Sequence, residues 1–172
     1  MPDICHVLRK QFAEWESNHG IGKVLFLTPD VKGDKILYIS SIKELFYSTE
    51  LHTEDLTSLT NVNSATKDEE LLIRELTKRY IESAHLIVAI NIAPSEASKN
   101  DLLLHLGQCM GKNKVILLIG EKLSKFFMGK VSGLCRTEAD VARFIDQFEL
   151  RSDIHPLETR FYAVLANFRE GV

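Results

Sequence analysis

Cysteine is scarce in this sequence: Cys5, Cys109 and Cys135 are odd in number and include no C-x-x-C pair. Such a set builds neither a disulfide framework nor a zinc ribbon, and the expectation is reduced, partly buried thiols. Long apolar runs are missing too. The longest, around Leu86 to Ile90 and Val115 to Ile119, fall far short of the roughly 18 to 20 residues of a bilayer span. No charge of one sign dominates: 21 basic and 24 acidic side chains give a formal charge of −3. No block of about five or six like charges occurs, so the footprint of a nucleic-acid-polymer binder is absent. From Met1 to His6 no basic segment leads into an apolar stretch, and the region is not an Arg-rich transit peptide, so a cytoplasmic protein without membrane contact is expected. G-x-G-x-x-G, G-x-x-x-x-G-K-[ST] and G-x-S-x-G are all missing, which removes the common dinucleotide, P-loop and serine-hydrolase readings. His6, His19, His52, His85 and His155 show no metal-ligand spacing, and the expectation is neither metal nor cofactor.

What the chain does have is 172 residues, 45% hydrophobic and 26% charged, the make-up of one globular domain. Ile4, Val7, Leu8, Phe12 and Trp15 recur at near-helical spacing over 4–17. Val24 to Leu27 reads as a strand buried on both faces, followed by a turn-forming loop at Thr28 to Asp34. A helix is expected over 35–47, at most a short strand near 50–53, and a polar loop to 67. The next helix, 68–83, has Asp68 as its expected cap and Glu70/Arg74 and Glu75/Arg79 as i,i+4 pairs. A strand at 85–92, a loop at 93–100, a helix at 101–111 and a strand at 114–119 follow, then a short strand near 130–134 and helices at 137–149 and 157–168. Apolar strands alternating with amphipathic helices predict an α/β fold. The expected form is one small doubly wound domain, flavodoxin- or Rossmann-like, with a mostly parallel sheet of about four to five strands and extra N- and C-terminal helices. The layout is one domain over 1–172: a helical extension at 1–20, a core at 23–149 and a terminal helix within 155–170. Ligands of such folds bind at the carboxyl ends of the strands, here the loops 28–34, 93–100 and the one after Ile119.

A family resemblance rests on particular residues: Val24 to Leu27 followed by Lys32-Gly33, the helix ending Tyr80 to Ala84, the strand Leu86 to Ile90, and Leu106-Gly107 leading through Gly111, Lys112 and Lys114 into Val115 to Leu118. Over about 23–149 this order resembles the nucleoside 2-deoxyribosyltransferase-like proteins, particularly the 2'-deoxynucleoside 5'-phosphate N-hydrolases, and implies a helix packed tightly through Gly107. The resemblance implies a Glu before the Leu-Gly pair, acting on the anomeric carbon, and an Asp on the preceding helix. Cleaving an N-glycosidic bond builds positive charge on the sugar, which a carboxylate stabilises or captures. This chain has His105 and Thr77 at those positions, and Lys99 where the acid spacing of the transferases would place another carboxylate. The family's phosphate cradle corresponds to Thr28-Pro29-Asp30-Val31-Lys32-Gly33, in which Pro29 lacks an N–H. Toll/interleukin-receptor domains look like neighbours of the fold, and they too rely on a Glu in the helix beginning at Ser98.

Ser98, Asp101, His105, Gln108 and Lys112 form one helical stripe, which is either a solvated face or carries an Asp101–His105 pair facing the cleft as an acid/base couple. Thr28, Asp30, Lys32, Gly33, Ser95, Ser98 and Asn100 are the candidate ligand contacts, the last three doubling as helix caps. The expectation is a domain that has lost its glycosyl-cleaving acids and binds a nucleoside or nucleotide or a protein. The alternative is an active N-glycosidase using Asp101, Glu69 or Glu70. Phe12, Trp15, Phe161, Tyr162 and Phe168 give the terminal helices aromatic anchors for a homo-oligomer or protein partner, or for the domain's own core.

Overall fold

The computed structural model describes residues 3–17, 22–29, 31, 33–47, 50–57, 66–92 and 96–172, with the side chains of 96–98 excepted. Five strands form one sheet: β1 (Gly22–Leu27), β2 (Leu51–Asp55), β3 (Leu86–Asn91), β4 (Ile116–Gly120) and β5 (Gly133–Cys135). All pair in parallel, in the order β2-β1-β3-β4-β5, with Gly22 opposite Leu51, Val24 opposite Leu86, Ile87 opposite Ile116 and Leu117 opposite Gly133. Alternation along the strands sorts side chains onto two cores. Leu25, Leu27, Ile87, Ala89, Ile116 and Leu118 face α1 (Ile4–Ser17), α3 (Lys67–Ser83) and α4 (Glu96–Gly111). Val24, Phe26, Leu86, Val88, Leu117 and Ile119 face α2 (Asp34–Leu45), α6 (Glu138–Leu150) and α7 (Leu157–Leu165). This is the doubly wound arrangement, with both faces of a parallel sheet covered.

Several boundaries differ from the sequence reading, each for a local reason. The helix expected from 101 starts at Glu96, because no Gly or Pro lies between Pro94 and Gly107, so Ser98 and Asn100 are helical rather than loop residues. Thr66, not Asp68, caps α3: its hydroxyl accepts from the Glu69 amide at 3.2 Å, leaving Asp68 in the first turn, where its charge opposes the positive end of the helix dipole. Arg79 turns away from Glu75 to pair with Glu16 of α1 at 3.2 Å and to lie over the Phe12 ring at 4.4 Å. Gly107 makes no tight packing contact. It is exposed, and a Cβ built on it would meet nothing within 4 Å. β5 lies at 133–135, after a single helical turn, α5 (Lys125–Met128), that the sequence did not announce. The last helix gives way at Leu165 to a 3-10 turn, Ala166–Phe168.

The terminal helices are built into the domain. Trp15 and Phe161 are fully buried, Phe12 and Phe168 nearly so, and of the five aromatic anchors only Tyr162 stays exposed. Arg160, on α7, donates from Nε at 2.7 Å and from Nη2 to the Phe148 carbonyl, holding its guanidinium over the Phe148 ring and closing the last turn of α6.

Candidate functional site

The carboxyl ends of the strands carry two polar groupings. Where β1 and β2 end, Asp55 accepts from the Thr28 hydroxyl at 2.7 Å, from Lys43 Nζ at 2.5 Å and from the Thr57 amide at 2.9 Å. The Thr28 amide donates to the Thr57 hydroxyl at 3.0 Å, which in turn donates to the Thr28 carbonyl at 2.8 Å. Thr28, a predicted ligand contact, therefore has both its donors committed inside the protein. The network fixes the start of the loop toward α2, and Gly33 ends that loop at φ 70°, a conformation glycine adopts without strain.

The second grouping is a cleft of about 440 Å³ lined by Tyr38, Asn91, Ile92, Gly120, Glu121, Lys122 and Arg136. Its floor is a clamp between neighbouring strand ends. Asn91 is buried; its Nδ2 donates to the Glu121 carbonyl at 2.9 Å, while the Glu121 amide donates to the Asn91 carbonyl at 3.1 Å. Gly120, at φ 106°, is required there because a Cβ would stand 2.3 Å from the Asn91 carbonyl oxygen. Tyr38 comes from α2, and Lys122 and Arg136 follow β4 and β5.

His105 and Asp101 lie elsewhere. Neither lines the cleft; they stand on α4, Asp101 exposed and His105 half-buried beside core residues Leu102, Leu106 and Cys109. Nδ1 of His105 is buried without a hydrogen-bond partner among the described residues. Burial holds this imidazole below its ordinary pKa against the opposing pull of Gln108 and Asp101, so it is neutral at pH 7. Gln108 and Lys112 of the same stripe are exposed, Lys112 pairing with Glu82 at 3.1 Å. Thr77 is a packed helix residue whose hydroxyl donates to the Ile73 carbonyl at 2.7 Å. Glu69 and Glu70 sit in the first turn of α3, and Asn100 is exposed on α4. Asp30, Lys32 and Ser95, and the side chain of Ser98, lie outside the described residues.

No protein-family model matches the chain, and no curated protein matches it in sequence. Solved structures do match in shape. A 2-deoxyribosyltransferase from the psychrotolerant bacterium Bacillus psychrosaccharolyticus superposes with a TM-score of 0.59 at 12% identity, over 70% of this chain and 90% of that one. The fold is 2-deoxyribosyltransferase-like. A conserved protein from Enterococcus faecalis V583 superposes with a TM-score of 0.56 at 14% identity, over 74% of this chain and 98% of the other. On this deoxyribosyltransferase-like fold the strand order reverses between β1 and β3, the point beside which ligands of doubly wound sheets bind, and the cleft opens next to it.

The sequence reading missed Tyr38, Asn91, Lys122 and Arg136. Asn91 had a signal, as the one polar residue closing the apolar run Leu86 to Ile90, and Gly120 closes β4 at the matching register position. Lys122 lies in the loop after Ile119 that the sequence marked as an edge of the site, whereas Arg136 had no signal, because only the sheet order brings the ends of β4 and β5 together.

Proposed function

We propose that this chain binds a nucleoside or nucleotide in the cleft at the ends of β3, β4 and β5 and does not cleave its glycosidic bond. The observation that supports this reading is the lining of the cleft: an aromatic ring on α2, a buried amide clamp at the strand ends, and two cations, on a 2-deoxyribosyltransferase-like fold. Tyr38 offers a face for a base, the clamp a rigid floor, and the cations a partner for phosphate. Cleavage needs a carboxylate beside the anomeric carbon; the position that the family resemblance assigns to it holds His105, a neutral imidazole outside the cleft lining, and among the described lining residues only Glu121, exposed after β4, carries a carboxylate. Asp101 is exposed on the same helix, also outside that lining.

The test is a thermal-shift and product screen of the purified protein with nucleosides, deoxynucleoside 5'-monophosphates and NAD. A ligand at a hundred times its Kd stabilises by about 2.7 kcal/mol, which for a chain of this size raises Tm by roughly 5–10 °C. A shift without free base on chromatography is the expected result. Release of base would restore the N-glycosidase, with Glu121 of the cleft lining and then Asp101, Glu69 and Glu70 as the acids to change. No shift with any of these ligands would overturn the binding reading.

A further inference from the structure

We propose that Lys122 and Arg136 form a cradle for the phosphate of a nucleoside monophosphate, at the β4–β5 side of the cleft rather than at the loop after β1; the inference rests on the nucleotide-binding reading and adds the direction in which the ligand lies. Both side chains are exposed, and neither is in an ion pair or side-chain hydrogen bond among the described residues. They converge. Arg136 Nη2 lies 3.1 Å, and Lys122 Nζ 3.5 Å, from the place a Cβ on Gly171 would occupy. The two nitrogens therefore stand no more than about 6.6 Å apart, within the span that two oxygens of one phosphate bridge, and Gly171, which lines the adjoining hollow, backs them.

Both cations stand on fixed backbone. Lys122 comes two residues after Gly120, where the Asn91–Glu121 clamp holds the end of β4. Arg136 directly follows β5, and its amide donates to Asp140 Oδ2 at 3.0 Å. Asp140 is in turn engaged by Arg143 at 3.6 Å, so its charge is already opposed. Glu121 borders the cleft and Glu170 the adjoining hollow on the far side of Arg136. These exposed carboxylates compete with an incoming anion, which gives the proposal a second, oppositely signed test.

The polarity of the ligand follows from the sheet. Ile92 follows β3 and Arg136 follows β5, so their backbones stand two strand spacings, about 10 Å, apart, with Tyr38 completing the lining from α2. That is about the reach from base to phosphate in a mononucleotide. At the β1 end, by contrast, Thr28 has committed its hydroxyl and amide protons to Asp55 and Thr57, and Pro29 has no N–H to give.

Isothermal titration of the full chain with a deoxynucleoside 5'-monophosphate and the matching nucleoside tests the cradle, using the wild type, Arg136→Gln, Lys122→Gln and Glu170→Gln. The monophosphate is expected to bind the wild type at least about tenfold tighter than the nucleoside. Arg136→Gln and Lys122→Gln each weaken the monophosphate by about tenfold or more and leave the nucleoside unchanged, while Glu170→Gln strengthens the monophosphate. Unchanged thermal melts and circular dichroism show that the exposed-site variants are folded. Monophosphate affinity indifferent to Arg136→Gln and Lys122→Gln but lowered by Lys32→Gln would overturn the cradle and leave nucleotide binding standing. Absence of binding by any nucleotide to the wild type would overturn both.

Discussion

Replacing Trp15 by alanine tests how firmly α1 belongs to this domain. The indole is fully buried, with Nε1 donating to the Ser83 hydroxyl at 2.8 Å and the ring meeting His52 at 5.3 Å and Tyr80 at 5.4 Å. Removing an aromatic side chain of this size from a core costs about 3–5 kcal/mol, set against a total stability of roughly 5–15 kcal/mol for a domain. About 1 kcal/mol of the loss belongs to the indole N–H bond. Trp15→Phe, Ser83→Ala and the double variant separate that part in a mutant cycle, because Ser83 keeps its own bond to the Arg79 carbonyl at 2.7 Å. Urea unfolding followed by far-ultraviolet circular dichroism measures each variant. Trp15 is also the chain's one tryptophan, so wild-type emission reports α1 alone. A Trp15→Ala loss below about 1 kcal/mol with an unchanged urea slope, or a wild-type emission transition well ahead of the dichroism transition, would refute the view that α1 is part of the core.

Three further outcomes are expected. His85 is held below its ordinary pKa, chiefly by burial, and its Nδ1 accepts the Lys23 amide at 2.8 Å. Its neutral form therefore supports the fold fully above about pH 6.5, and stability falls as pH drops from there toward the depressed value. Urea midpoints at pH 7.5 and 5.5 should differ more in the wild type than in His85→Gln, and an equal difference would count against this assignment. Gly120→Ala drives a Cβ against the Asn91 carbonyl at a backbone angle alanine resists, so it should cost about 2 kcal/mol or more and weaken nucleotide binding together with the clamp, read by melting and titration. Burial pushes the thiols of Cys109 and Cys135 up to about 12, whereas Cys5 is only half-buried. Iodoacetamide at pH 8 should alkylate Cys5 first in the native protein, with peptide mass mapping as the check.

The sheet was legible because its middle strands are buried on both faces and say so locally: Val24 to Leu27, Leu86 to Ile90 and Val115 to Ile119 are unbroken apolar runs. α1 was legible at both ends from its apolar stripe. β5 was not, since three residues carry no period and its place is set by pairing with Leu117 to Ile119. Arg79 preferred a partner 63 residues away to one on its own helix, a choice invisible to i,i+4 reasoning. The cleft was less legible than the fold for the same cause. Lys122 and Arg136 are ordinary surface residues until the order β3-β4-β5 sets them beside Asn91, and Asp55 draws Lys43 and Thr28 together only because β2 lies against β1. His105 stood out in the sequence through its position, yet it is half-buried on α4 and outside the lining of the cleft.

The closing helix has a consequence for how the chain is made. α7 returns to the beginning of the sheet: Arg160 reaches Glu50 at 3.4 Å, and Leu157 packs beside Gly22. During synthesis β1 therefore emerges about 130 residues before the segment that seals its outer core, an interval of roughly 6–26 s at ordinary ribosome speeds. Phe26 packs on Phe46 and Phe46 meets Phe144, and Phe144 gains its other ring partners only when Phe161 and Phe168 arrive. A chain cut before α7 is thus expected to expose the apolar surface that Phe161, Val164, Leu165 and Phe168 cover.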